Sequence, residues 1–203
     1  MNTTEVQIKN LIKSFPDLYK YAEKQFLMYE KIEGIDNWKE YSFSIDCSTD
    51  QMKFKDMLQI RFVEELSEAT HALDNKEHFL EEITDALNFF LSAYVMLGVD
   101  FKEFSDPGKF LTNGRDLLLD YKKLGVLLYW VIDKVGYLCN LLKNRPWAQS
   151  NYLVSLYDFD IRLKDLWDTF WCVLGQIGLS DEKLFELFER KYLVNLWRIK
   201  TGY

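Results

Sequence analysis

Four acidic residues are spaced so that they could bind a cation. Glu65 and Glu68 are three apart, and so are Glu82 and Asp85. On helices, each pair would project from one face. Asp74 and Asn75 make a turn between the pairs. Folding the chain there would set Glu65 and Glu68 opposite Glu82 and Asp85. Four carboxylates so crowded would repel one another, and the natural remedy is a hard divalent cation with oxygen ligands, Mg²⁺ being the most available. A lone Glu-x-x-Glu is usually a solvated face, and Glu64 and Glu81 fit that description. The other four are interleaved with Phe62, Leu66, Ala69, Ile83, Ala86, Leu87, Phe89 and Phe90, and carboxylates at the margin of apolar faces need a partner.

The elements that must hold these residues are helical, because nearly every apolar run has a period near 3.6. Helices are predicted over 4–14 and 17–33, separated at Pro16, with 34–49 as a loop. A long helix should start near Thr49 or Asp50, either a good N-cap, and run to Leu73. The next should span 76–97 and stop at Gly98. Further helices are predicted over 115–143, 158–177 and 181–200, the last capped by Ser180 or Asp181. The fold class is therefore all-α, a single-domain helical bundle whose metal-binding hairpin covers about 50–98. Asp165-x-x-Asp168 follows Val135–Trp147 much as Glu82-x-x-Asp85 follows Val63–Lys76. A degenerate second hairpin over about 115–180 would explain that likeness; the general similarity of amphipathic helices would also explain it.

The chain has 203 residues, 48% hydrophobic and 16% aromatic, with a net charge of −7. That balance suits a compact globular protein and argues against a nucleic-acid partner. Cys47, Cys139 and Cys172 lack metal spacing and read as reduced thiols. No stretch reaches the ~18 uncharged apolar residues of a membrane span, the best being Ala86 to Val99. A cytoplasmic protein with no membrane partner is expected.

The end of the chain carries a second pattern, Lys191-Tyr-Leu-Val-Asn195-Leu-Trp-Arg198-Ile-Lys-Thr-Gly202-Tyr203. Together with Glu-x-x-Glu, a spacer and Glu-x-x-Asp, it resembles the all-α nucleoside triphosphate pyrophosphatases. This superfamily includes MazG-like enzymes and the dimeric dUTPases with the related phage dCTPase–dUTPase. Lys191, Asn195 and Arg198 would share one helix face, and two cations with an amide there could hold phosphate oxygens.

The resemblance implies a homodimer that splits a deoxynucleoside triphosphate, dUTP foremost, into the monophosphate and pyrophosphate. Two or three Mg²⁺ ions, or Mn²⁺ in their place, would be held by Glu65, Glu68, Glu82 and Asp85, with Glu65 also as the base. Lys76, Lys191, Asn195, Arg198 and Tyr203 would bind phosphate. Asn88, Trp38 and Gln25 would face the base and sugar. The chain departs from the pattern in having Asn88 where a His is usual and Tyr192 where an Asn is usual. These departures touch recognition of base and sugar more than the metal site. Alternatives are a pyrophosphatase for dCTP or a purine nucleotide, or an inactive helical interaction protein. His71 and His78, flanking the turn, are expected at the surface or packed locally rather than on a metal.

Overall fold

A computed structural model describes residues 10–32, 43–111, 121–142 and 155–202. Among these the architecture is all-α, as the periodicity predicts. The helices are α1 (Phe15–Ile32), α2 (Ser48–Lys55), a π segment (Asp56–Phe62), α3 (Val63–His71), α4 (Lys76–Met96), α5 (Tyr121–Leu141), α6 (Leu156–Ile177) and α7 (Asp181–Thr201). Trp38, Tyr203 and the segments 115–120 and 143–147 lie outside the described residues.

The long helix expected over 49–73 is one rod from Ser48 to His71, but its middle is π-helical. Phe54, Leu58, Phe62 and Leu66 recur every four residues and are all fully buried. In an α-helix with 3.6 residues per turn, such a series drifts around the cylinder. The wider π turn holds it on the core. Neither Thr49 nor Asp50 caps the rod. Helix starts at Ser48, and the Asp50 carboxylate accepts the Ser44 backbone N–H at 2.9 Å.

The hairpin forms as expected. Asn75 caps α4 by accepting the His78 N–H at 3.2 Å, and Gly98, in the left-handed region at φ 66°, ends the helical backbone. Ser180 caps α7 through the Lys183 N–H at 3.3 Å. One expectation fails: residues 10–14 are not helical. Asn10 has φ 52°, and the Leu11 and Ile12 N–H groups donate to the Glu189 carboxylate of α7 at 2.6 and 3.3 Å. A buried carboxylate from a distant helix has taken the donors that a local helix would have used internally.

Ring contacts set the helix directions. Phe15 meets Phe185 at 5.2 Å and Tyr21 meets Tyr192 at 4.9 Å, so α1 and α7 run the same way. Phe90 meets Phe170, while the hydroxyl of Tyr94, one turn further along α4, donates to the Leu163 carbonyl nearly two turns back in α6; these two run oppositely. Trp167 lies at the centre of the core, fully buried among Tyr19, Phe90, Tyr94, Phe101, Phe104 and Trp171.

Lys123–Leu141 is long and apolar enough to cross a membrane by length and composition alone, a better candidate on that criterion than 86–99. Asp133 and Lys134 lie within it. Asp165 pairs with Lys134 at 2.7 Å and Arg162 at 3.7 Å, and Asp168 lies near Tyr94.

A candidate metal centre at the hairpin

The α3–α4 hairpin brings Glu65, Glu82 and Asp85 together, with one oxygen of each within 4.8 Å of the others. Glu82 is buried and the other two are partly so. Helical spacing accounts for this: Glu82 and Asp85 share a face of α4, and Glu65 meets them across the hairpin. Glu68, the fourth acid, is exposed and outside the group, though close enough for its charge to act on Glu65.

Crowding leaves its mark on protonation. Burial first, then the charge of Asp85 and a hydrogen bond with Glu82, push the Glu65 carboxyl up to about 8. Asp85 is raised to about 6, again mainly by burial, with Lys191 pulling against the rise. The Lys191 ammonium is in contact with Asp85 Oδ2, both side chains being about 15% exposed or less. His78 adds its Nδ1 at 3.0 Å from Glu82 Oε1.

Three carboxylates facing one point form an all-oxygen donor set that suits a hard divalent cation. Asp85 Oδ1 is buried without a hydrogen-bond partner among the described residues, and such an orphan acceptor is costly unless something positive meets it. The residues present therefore fit a metal ion.

α7 supplies the opposite wall. Lys191, Asn195 and Arg198 line one pocket of about 140 Å³ with Glu65, Asp85, Asn88 and Phe89. The face-sharing expected of Lys191, Asn195 and Arg198 is what delivers them there. Asn88 is 5% exposed and both its amide atoms lack a partner among the described residues. The same is true of Gln25 at 1% exposure. Tyr21 of α1 packs on Tyr192 of α7, so one turn further along these parallel helices Gln25 comes level with Asn195. Lys76 is exposed and does not line this pocket.

On the other side of the α4–α7 crossing, a second pocket of about 160 Å³ is lined by Glu77, Glu81, Thr84, Lys183, Arg190 and Lys191, among others. Its Lys183 and Arg190, the Glu189 clamp and the His78 contact were missed from the sequence. For His78 a signal existed, since it stands four residues before Glu82 on one helix. Glu189 and Arg190 looked like ordinary helix charges, and only the packing of α1 and α4 against α7 distinguishes them.

This chain matches no family model, no curated protein and no solved structure.

Proposed function

We propose that the chain is a divalent-metal-dependent nucleoside triphosphate pyrophosphohydrolase of the MazG-like, dimeric dUTPase type, releasing pyrophosphate from a deoxynucleoside triphosphate, dUTP foremost. The observation that carries this reading is the single pocket in which Glu65 and Asp85, with Glu82 beside them, face Lys191, Asn195 and Arg198. A carboxylate cluster alone would bind a cation. Cationic and amide donors across from it add the complement for phosphate oxygens.

Mg²⁺, held by Glu65, Glu82 and Asp85, would supply charge neutralisation of the triphosphate and activation of water. Lys191 and Arg198 would stabilise charge on the departing pyrophosphate, and Asn195 would donate a hydrogen bond. Glu65, which lines the same pocket, would take the proton of the attacking water. The pocket's size suits phosphates and an ion rather than a whole nucleotide. Asn88 in the pocket wall and Gln25, whose amides lack partners among the described residues, would offer donors and acceptors to a pyrimidine edge or sugar hydroxyl.

Pyrophosphate release should be screened over dUTP and the eight common nucleoside triphosphates with Mg²⁺, comparing the native chain with Glu82→Gln. The expected result is metal-dependent release from one or a few of them, dUTP foremost, lost in the variant while its circular dichroism is retained. Full activity in Glu82→Gln, or no hydrolysis of any triphosphate by the native chain, would reject the proposal.

A further inference from the structure

Lys191 was expected to hold phosphate, yet its ammonium contacts Asp85, one of the three residues that would hold the metal. The pair is largely shielded from water, and while it holds, only Asp85 Oδ1, which lacks a hydrogen-bond partner among the described residues, is open to a metal ion. A divalent cation at the centre of Glu65, Glu82 and Asp85 would stand next to the ammonium, and like charges at such range repel strongly in a partly buried setting. Lys191 has somewhere to go. It lines both pockets, and the second carries Glu77 and Glu81 beside Lys183 and Arg190, which themselves pair with Glu186, so the two glutamates can receive the displaced ammonium.

We propose that Lys191 is the resident counter-ion of the metal centre: its ammonium neutralises Asp85 until a divalent cation displaces it, and only then is it free to hold a phosphate oxygen. The inference rests on the metal-dependent reading above and adds an order of events to it. Metal and anion then bind cooperatively through one side chain, because the ion that frees Lys191 is the ion that creates its new role. Removing the lysine should therefore help the metal while harming the anion.

Two measurements on the nucleotide-free protein test this. The first is Mn²⁺ affinity by electron paramagnetic resonance at pH 8, for the native chain and Lys191→Met. The variant should bind Mn²⁺ on the order of tenfold tighter, within the usual range of coupling between sites. The second needs no variant: lysine acylation read by mass spectrometry, with exposed Lys20 and Lys76 as references. Lys191 should be protected without metal and lose that protection when Mn²⁺ is added. Equal or weaker Mn²⁺ binding by the variant, or protection unchanged in metal-loaded protein, would overturn the counter-ion role and leave the metal reading standing. Failure of both proteins to bind Mn²⁺ would overturn both. If Lys191→Met does not fold, the acylation result decides.

Discussion

At the residue scale, the metal centre of the free protein is a set of opposed charges. Glu65 has a carboxyl raised from 4.5 to about 8 by burial and its acidic neighbours. A group whose pKa is higher in the folded state contributes stability that is complete below its unfolded value and is lost as pH rises through the folded one. Asp85, raised from 3.8 to about 6, acts in the same direction over a lower range. The metal-free protein should therefore melt at progressively lower temperature as pH rises from 5 to 9. Partial exposure keeps the slope below the full 1.4 kcal/mol per pKa unit, in round numbers. Mg²⁺ should reverse that slope and release about one proton per site at neutral pH, because ligands bind metal deprotonated. Calorimetry in buffers of different ionisation enthalpy reads the proton, and a melting temperature independent of pH and metal would contradict the picture. Gln25 gives an independent prediction. Both its amide atoms are buried without partners among the described residues, so Gln25→Leu should leave stability unchanged or raise it by about 1 kcal/mol, while weakening nucleotide binding. A loss of stability in urea titration would mean that the amide serves the fold instead.

At the element scale, most helix boundaries were legible because caps and breakers are local chemistry. Ser180, Asn75 and Gly98 act where their side chain or backbone freedom predicts. The misses came from distant partners. Residues 10–14 read as helix by apolar spacing, but the Glu189 carboxylate pins their N–H groups to α7. The π segment has a trace in the sequence, the four-residue spacing of Phe54, Leu58, Phe62 and Leu66, whose meaning appears only once all four are seen buried. A packing prediction follows at α6. A Cβ on Gly175 would fall on the Phe110 carbonyl, and a backbone group cannot turn aside as a flexible side chain can. Gly175→Ala should cost about 1–3 kcal/mol in chemical denaturation, despite the better helix propensity of alanine. An unchanged midpoint would show that the 110–111 backbone gives way easily.

At the scale of the whole molecule, the aromatic core fixes where the site helices cross. Trp167 of α6 touches rings from α1, α4 and the segment after α4, and its indole N–H donates to the Ser105 carbonyl at 2.9 Å. Trp167→Ala should cost about 3–5 kcal/mol, as large-to-small core changes do. It should also loosen the metal centre, because α4 carries both Phe90 and Glu82 and a packed core transmits strain. Thermal melts with and without Mn²⁺ check both effects. A variant that is destabilised but gains as much from Mn²⁺ as the native chain would show that the core and the centre are independent.

Most helix bounds, the hairpin and the face-sharing of Glu82 with Asp85 and of Lys191 with Asn195 and Arg198 are legible along the chain. These follow from periods of three to four residues along a single helix, set by backbone geometry alone. Only the tertiary structure decided which of the four acids converge, leaving Glu68 exposed. The same packing rests Lys191 on Asp85 and buries Gln25 and Asn88 without partners among the described residues. Those facts depend on how α1 and α7 are set against α4, which is settled by aromatic packing among residues far apart in the chain.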